Sequence, residues 1–385
     1  MDLHESPLVY FDHAATSFPK PPIVTEAVVN AMNYLGSAGR SAHIPALNAS
    51  RTLFQARKAT AHLLGASPNR TVFTSGATES LNTAIFGLLS PEDHVITTAL
   101  EHNSVLRPLY WRRNQGMKIS IVPLNATGSL DYNGFEKALR KNTKAVVCTQ
   151  ASNVTGEILD IPWISKFCKS HNLLLIVDAA QSAGVLPISM GKMGIDVLCF
   201  TGHKGLLAPQ GTGGLCIREN LTISPLKVGG TGFDTFSEAP PQSLPEALEA
   251  GTPNIHGIAG LLAGVNLIEE LGQETIFTKE QALTQRFLTG ISNFPTISVY
   301  RSTGVPYTSV VSLNIGRHDS GEISDLLANS YGICTRAGAH CAPLVHRALG
   351  TEHQGAVRFS FSFSNTEDEV DYAIESLGAI EKMLR

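Results

Sequence analysis

Lys204 is the residue whose type and position most suggest a chemical role. It ends the stretch FTGHK (200–204), directly after an apolar run and a histidine, and the glycine-rich stretch GLLAPQGTGG follows it. A lysine in such a position is usually a solvated surface charge. A buried lysine whose neighbours lower its pKa can instead form a Schiff base with a carbonyl compound. The stretch alone leaves both interpretations open.

Two other stretches carry groups that would complement a reactive lysine. Asp178 ends the apolar run LLLIVD, where its carboxylate could pair with a cationic ring nitrogen or simply cap the strand. The stretch TSGATES (74–80) joins a predicted strand to a predicted helix through a glycine turn. Exposed N–H groups and the helix dipole make such a turn an anion site, with the Thr78 hydroxyl as a further donor. A plain N-cap by Thr78 is the alternative.

The elements that must position these groups form an α/β pattern. Seven short apolar segments predict strands, and their apolar residues are continuous rather than alternating, which is typical of a mostly parallel sheet buried on both faces. Helical patterns separate several of them, so we expect a mostly parallel seven-stranded sheet flanked by helices, with ligands beyond the carboxyl ends of its strands. The predicted strands are 71–74, 94–98, 118–124, 144–149, 173–178, 197–201 and 213–217.

The C-terminal part has a different pattern and predicts a smaller α+β domain. It contains the strand segments SVVSLNI and VRFSFSF, the latter over 357–363, and a last helix that opens with a capping box of Thr366 and Glu369. We expect a large domain over residues 15–257. Residues 1–14 and 258–385 are expected to form the small domain.

Composition excludes several classes of partner. The chain has 385 residues and a net charge of −4, and no basic run exceeds the pair Arg112–Arg113, which argues against nucleic acid or an anionic membrane. The first residues have no signal-peptide pattern, and the longest apolar run, LLLIV, is far too short to span a bilayer. Six cysteines without paired spacing predict reduced thiols and a cytoplasmic location.

The lysine, the acid and the anion-binding turn are expected at one edge of one sheet. Together they are the three parts that pyridoxal 5'-phosphate requires. The chain resembles the class V, or cysteine desulfurase-like, group of fold-type I pyridoxal phosphate enzymes from residue 9 to about residue 371. The motifs that carry the resemblance stand in family order: VYFDHAATSFPKP, EHNSVL, SNVTGEI, VDAAQSAG, FTGHKG, EAGTPN and RAGAHCAP.

The resemblance implies a role for each matching residue. Lys204 would form the Schiff base, Asp178 would pair with the ring nitrogen, and Gln181 would contact the phenolic oxygen. His102 would stack on the ring and move protons, and Asn153 and Arg358 would hold the substrate carboxylate. The residues that would hold the phosphate are Ala77, Thr78, Thr201 and His203. Thr252 is similar to the threonine that reaches the phosphate of a neighbouring subunit, which implies a homodimer.

Cys341, in RAGAHCAP, decides which reaction the resemblance implies. A cysteine desulfurase uses a thiol on a small-domain loop to attack the sulfur of bound cysteine, releasing alanine and leaving a persulfide; selenocysteine is a further expected substrate. The sequence is similar to the branch whose catalytic loop is short. Ala339 stands where better-known members carry histidine, and the loop between Gly230 and Gly251 is shorter than theirs. A sulfur-acceptor protein is therefore expected to dock differently.

Other functions stay open beside this one. Cys341 could be incidental to an aminotransferase or a β-eliminating lyase, and the chain could be a non-enzymatic subunit that only binds a partner. The set of Lys204, Asp178, His102 and Arg358 argues against the last of these. Residues His340, Cys341, His346 and His353 match no structural zinc pattern, so no metal site is expected.

Overall fold

The computed structural model describes residues 8–39, 41–232 and 235–385. Residues 1–7 of the predicted small-domain segment and residues 233–234 of the loop after Gly230 lie outside the described residues.

Strands and helices alternate along most of the described chain. The strands are β1 (Val9–Tyr10), β2 (Thr71–Thr74), β3 (His94–Thr98), β4 (Lys118–Val122), β5 (Thr143–Thr149), β6 (Leu174–Asp178), β7 (Val197–Thr201), β8 (Gly213–Ile217), β9 (Ile297–Val299), β10 (Val310–Ile315), β11 (Ile333–Cys334) and β12 (Val357–Ser360). The helices are α1 (Pro22–Tyr34), α2 (Ile44–Leu63), α3 (Ala77–Leu88), α4 (Asn103–Asn114), α5 (Asn133–Ala138), α6 (Ile161–Ser170), α7 (Met190–Met193), α8 (Ile255–Leu271), α9 (Gln273–Ile291), α10 (Ser320–Tyr331), α11 (Pro343–Leu349) and α12 (Glu367–Leu384).

The large sheet has the seven strands that the sequence predicts, in the order β2-β8-β7-β6-β5-β3-β4. Strands β4, β3, β5, β6 and β7 are parallel, whereas β8 runs antiparallel to both β7 and β2. All five residues of β3 and of β7 are buried, as expected for strands covered on both faces. The α/β fold with a mostly parallel sheet is therefore confirmed. The predicted strand 118–124 ends earlier, at Val122, because Pro123 has no N–H to donate.

A second, smaller unit is built on the antiparallel sheet β12-β10-β9 and on the parallel pair of β1 with β11. The predicted strand 357–363 ends at Ser360, and the chain then turns as Ser362 N donates to Asn365 Oδ1 over 2.9 Å. The capping box of Thr366 and Glu369 is present at the start of α12, as predicted.

Three hydrophobic cores divide between the two units. The first and a second are built on the two faces of the large sheet, and the third joins Val9 and Phe11 to side chains of β10, β12 and α12. Helix α8 packs on α1 and α2, and its Ile258, Leu261 and Val265 belong to the first core. We propose the predicted two-domain division, with α8 joined to the large domain. Among the described residues, no helix combines the length and the apolar character that a membrane span needs.

Candidate active site

A cavity of about 390 Å³ opens at the carboxyl edge of the large sheet. Its walls come from the ends of β5, β6 and β7 and from the segments that start α3 and α4, since the carboxyl ends of parallel strands meet at one edge. Most of the residues predicted for the site line it: Ala77, Thr78, His102, Asn153, Asp178, Gln181, Thr201, His203, Lys204 and Arg358.

Lys204 lies just beyond the end of β7 and is largely buried, with the cavity in front of it. The pKa of its amine is lowered to about 8, first by burial and then by the nearby Arg358, with Asp178 partly opposing both. The interpretation of Lys204 as a solvated surface charge is therefore wrong. An amine with this pKa has a substantial neutral, nucleophilic fraction near pH 8.

Asp178 is the last residue of β6 and is only 3% exposed. Burial raises the pKa of its carboxyl, while a hydrogen bond from Ala180 N to Oδ1 (2.9 Å) and the charge of Lys204 lower it. Among the described residues, the hydrogen bond from Ala180 N is the only one that the Asp178 carboxylate accepts. Its remaining acceptor capacity is available to a cation in the cavity.

The turn before α3 forms the anion-binding end of the cavity. The N-cap of α3 is Gly76, and no side chain caps the helix, so its first N–H groups keep their hydrogen-bonding capacity. A Cβ added to Gly213 of β8 would lie 2.5 Å from Gly76 Cα, so this close approach requires glycine. Thr78 is the second helical residue and not the N-cap, which corrects the capping interpretation. Its hydroxyl lies 2.8 Å from Ser104 Oγ.

Burial favours the neutral form of two histidines that line the cavity. Burial lowers the pKa of His102 to about 4, with Lys204 and Arg336 adding to the effect. Ser104 N donates to His102 Nδ1 over 3.0 Å, so the neutral ring carries its hydrogen on Nε2. Burial likewise lowers the pKa of His203 to about 4. The cations around the cavity are therefore lysine and arginine.

Arg358 is 1% exposed, on β12 of the small unit. Its Nη2 donates to Asp12 Oδ1 over 2.7 Å, and its Nη1 donates to the backbone oxygen of Asn153 over 3.1 Å. Its Nε is buried without a hydrogen-bond partner among the described residues. The guanidinium is thus fixed in place and still has donors for a substrate carboxylate.

The loop that carries Cys341 lies beside the cavity. Cys341 is exposed and does not itself line the cavity, whereas its neighbour His340 does. Both residues have a left-handed backbone, with φ of 49° and 55°, which is uncommon outside glycine. Two hydrogen bonds anchor this conformation: Asn153 Nδ2 donates to the His340 oxygen (2.8 Å), and Asn103 N donates to the Cys341 oxygen (2.7 Å).

Near neutral pH, burial favours the neutral form of His340, so His340 places no positive charge beside Cys341. Burial lowers the pKa of His340 to about 3. Its Nε2 lies 3.1 Å from the Arg336 carbonyl, which can only accept, so Nε2 carries the hydrogen. No group of three or more potential metal ligands occurs among the described residues, and that includes the four His/Cys residues considered for zinc.

Thr252 is the predicted site residue that lies elsewhere. It is exposed and lines a separate cavity of about 940 Å³ together with Phe54, Gly230 and Gly251. A single chain therefore does not bring Thr252 to Lys204.

Sequence reasoning gave no site role to three residues that the fold places at or beneath the cavity: Asp12, Glu101 and Ser104. Arg336, which the sequence suggested beside His340 as a group that would raise the thiolate fraction of Cys341, also lines the cavity. In the sequence, Asp12 and Glu101 stand out only because they belong to the motifs FDHAAT and EHNS. Glu101 is fully buried and accepts from Thr98 Oγ1 (2.6 Å) and Thr149 N (3.1 Å). Burial raises its pKa to about 8. No spacing rule predicts such contacts, because they join different strands.

Comparison with known proteins places this geometry in a family. The model of the family Aminotransferase class-V matches residues 9–373. A probable cysteine desulfurase of Methanothermobacter thermautotrophicus is 32% identical, covering 97% of this chain and 95% of its own. A cysteine desulfurase of a Nostoc species is 33% identical, covering 98% of this chain and 94% of its own.

Solved structures are similar over nearly the whole chain. The apo structure of a cysteine desulfurase from Thermococcus onnurineus has a TM-score of 0.91 at 32% identity and covers 100% of this chain and 99% of its own. The cysteine desulfurase CsdA from Escherichia coli has a TM-score of 0.87 at 30% identity and covers 97% of this chain and 94% of its own. The chain therefore belongs to the class-V aminotransferase family, as its motifs predict.

Proposed function

We propose that the protein is a pyridoxal phosphate-dependent cysteine desulfurase. The observation that carries the proposal is one cavity in which a largely buried Lys204 and a buried Asp178 lie together, with the exposed Cys341 on the adjoining loop. The similarity to cysteine desulfurases over nearly the whole chain supports it.

The residues present fit pyridoxal phosphate. The uncapped start of α3, with the Thr78 and Thr201 hydroxyls, suits a phosphate. A cationic ring nitrogen would give the buried Asp178 carboxylate a directly bonded opposite charge, and Lys204 would bind the aldehyde. When bound, this cofactor supplies an electron sink that weakens bonds to the substrate's α-carbon.

The chain's own residues would then orient the substrate. Arg358, held by Asp12, would receive the substrate carboxylate, and Asn153 would fix both the guanidinium and the catalytic loop. His102 would pack on the cofactor ring through a neutral imidazole, so it brings no charge to that face. The Lys204 amine, with its lowered pKa, suits proton transfer at the substrate carbon.

Cys341 would take the sulfur. A bond forms between Cys341 Sγ and the substrate sulfur while the carbon–sulfur bond of the substrate breaks, and a proton completes the methyl group of alanine. The balance is L-cysteine plus the Cys341 thiol giving L-alanine plus a Cys341 persulfide, with no external oxidant. Selenocysteine would follow the same course with selenium in place of sulfur.

We also propose a homodimer with shared active sites. Large apolar side chains are exposed on α1 and α2, among them Met32 (64%), Tyr34 (70%) and Phe54 (60%), and such surfaces usually mark an interface. Phe54 and Thr252 line the same large cavity. An interface here would bring Thr252 toward the partner's phosphate site.

We further propose that the enzyme is cytoplasmic and passes its sulfur to another protein. A thiol-bearing acceptor protein would collect the sulfur from Cys341. The free state of all six cysteines fits a reducing, cytoplasmic compartment.

A product assay tests the proposed reaction. The purified enzyme, loaded with pyridoxal phosphate, is incubated with L-cysteine and a reductant, and alanine, sulfide and pyruvate are measured separately. Alanine and sulfide in equal amounts are expected. Pyruvate with sulfide would indicate a β-eliminating lyase, and neither product would contradict the desulfurase function.

A further inference from the structure

Helix α4 presents an exposed ridge that the proposed chemistry does not use. The ridge consists of the exposed Arg107, Trp111 and Arg113 with the half-buried Tyr110, and Trp111 is 63% exposed. Positions 107, 110 and 111 share one face, because residues three and four apart are neighbours on a helix. The opposite face, with Val105, Leu106 and Leu109, is buried. This is an amphipathic helix whose outer face holds a large aromatic side chain that is mostly exposed.

The ridge is basic and its charges are not neutralised. Helix α4 contains no aspartate or glutamate. Neither Arg107 nor Arg113 forms an ion pair with a described residue, and the Arg113 guanidinium instead lies 4.5 Å from the centre of the Tyr110 ring. Arginine and tryptophan together are typical of interface hot spots. A partner that fits this ridge carries acidic groups around an apolar patch.

The ridge is continuous with the sulfur-accepting cysteine. Asn103, the first residue of α4, donates its N–H to the Cys341 oxygen over 2.7 Å. At ~1.5 Å of rise per residue, Trp111 lies about 12 Å along the helix from that contact. A small protein can therefore touch the ridge and Cys341 at once.

The ridge lies apart from the surface proposed for the dimer. Helix α4 packs on α3 and on β4, which is one edge of the large sheet. Helix α2 packs near β2, at the other edge. In the proposed dimer the partner also approaches the start of α3, where the Thr78 hydroxyl contacts Ser104 in the first turn of α4. The ridge residues lie in the later turns of α4, which leaves them open to a second kind of protein.

We propose that the α4 ridge is the docking surface for an acidic, thiol-bearing sulfur acceptor. The inference rests on the proposed desulfurase function. In the transfer, the acceptor's thiolate attacks the outer sulfur of the Cys341 persulfide. A sulfur–sulfur bond forms on the acceptor, the bond to Cys341 Sγ breaks, and Cys341 leaves as a thiolate. No oxidant or reductant is consumed.

The test uses two synthetic peptides as acceptors. Each has one cysteine between two glycines, so that the thiols have matched surroundings. One carries several glutamates and a leucine, and the other carries glutamines in place of the glutamates. The holoenzyme is charged with L-cysteine, freed of excess substrate and mixed with each peptide, and the peptide persulfide is followed by mass spectrometry.

We expect about tenfold faster transfer to the acidic peptide at low salt. The preference should disappear in about 0.5 M sodium chloride. It should also disappear in Arg107→Glu/Arg113→Glu, whereas Trp111→Ala should slow transfer to both peptides. The control Lys166→Glu/Lys382→Glu, which alters exposed lysines of α6 and α12, should keep the preference.

Two further readouts separate this inference from the proposed function. Alanine production with dithiothreitol, which needs no docking surface, should be the same in all variants and reports on the desulfurase reaction alone. Binding of a fluorescent acidic peptide with serine in place of cysteine, followed by anisotropy, needs no catalysis and should weaken about tenfold on charge reversal. Equal transfer to both peptides, or a preference that survives charge reversal, would overturn the docking surface. A change in oligomeric mass in the ridge variants would overturn it too, because the ridge would then be a contact between copies of this chain.

Discussion

At the scale of single residues, burial distinguishes the groups proposed to be chemically active from ordinary ones. Lys204 and Asp178 lie at strand ends, where exposed side chains are common, yet both are shielded from bulk water and have shifted pKa values. Cys148, Cys199 and Cys216 are buried in strands, as expected for core packing, whereas Cys341 is exposed on a loop. The same residue type therefore serves packing in one place and suits chemistry in another.

Replacing Lys204 should stabilise the cofactor-free protein while abolishing turnover. Its pKa falls from 10.5 to about 8 on folding, so between these values the unfolded chain binds more protons and stability rises with pH. Below about pH 8 the buried charge costs stability, by about 2 kcal/mol once water in the cavity is allowed for. Lys204→Met should remove this cost at pH 7, and its advantage should shrink as pH rises toward 10.5. Urea unfolding of both cofactor-free proteins measures this difference.

Lys166→Met, at an exposed position of α6, is the matched control and should change stability little. An advantage of Lys204→Met that did not depend on pH would mean that the amine is solvated in the folded protein.

The sequence predicted most of the residues that line the candidate cavity but not their contacts. Lys204, Asp178 and the turn before α3 could be predicted from the residue types at strand ends. The pairing of Arg358 with Asp12 was not, because the two residues are 346 positions apart and meet only when the first segment folds against β12. The N-cap alternative for Thr78 was wrong: a threonine after glycine resembles an N-cap, and only the backbone shows that the cap is Gly76.

At the scale of elements, the catalytic loop is held in an unusual backbone conformation by its neighbours. His340 and Cys341 are both left-handed, which costs about 1–3 kcal/mol per residue. The side chain of Asn153 and the N–H of Asn103 hold the loop in this conformation. Asn153 thus has a structural contact beside the substrate-binding role that the family resemblance implies.

Asn153→Ala should loosen this loop. The variant loses the donor to the His340 oxygen, so the amides around Cys341 should exchange faster with deuterium, by about tenfold. The KM for L-cysteine should rise, and the visible absorption of the bound cofactor should remain. A raised KM with unchanged exchange would mean that Asn153 acts on the substrate alone.

The strands of the large sheet were predicted well because their apolar runs are continuous and bounded by turn residues. The ends of the strands were predicted less well: β4 stops before Pro123, and β12 stops before the turn in which Ser362 N donates to Asn365. Those ends depend on which partner strand is still alongside. A single sequence does not contain that information.

At the scale of the whole molecule, one chain leaves Thr252 away from the cavity that it is expected to serve. The exposed apolar side chains of α1 and α2 and the position of Thr252 are both accounted for if two chains associate through this face. Cofactor binding and association should therefore be coupled.

Phe54→Glu should give a chain that sediments near 41.1 kDa, whereas the wild type should sediment near twice that mass. The variant should also bind pyridoxal phosphate at least tenfold more weakly, because an interface that buries Phe54 would exclude a charge and the partner's Thr252 would be lost from the site. Met383→Glu, at a 63% exposed position of α12, should behave as the wild type. A monomeric Phe54→Glu with full cofactor affinity would remove Thr252 from the site.

The fate of the substrate's sulfur tests the central claim most directly. The holoenzyme is treated briefly with L-cysteine, quenched and digested. The mass of the peptide that contains Cys341 is then measured by mass spectrometry, together with the masses of the peptides that contain the five other cysteines. We predict that one sulfur atom is added to the Cys341 peptide alone, and that Cys341→Ala retains the bound cofactor but releases no alanine with sulfide. Alanine and sulfide formed by Cys341→Ala at the wild-type rate, or sulfur found on another cysteine instead, would contradict the desulfurase mechanism proposed for this protein.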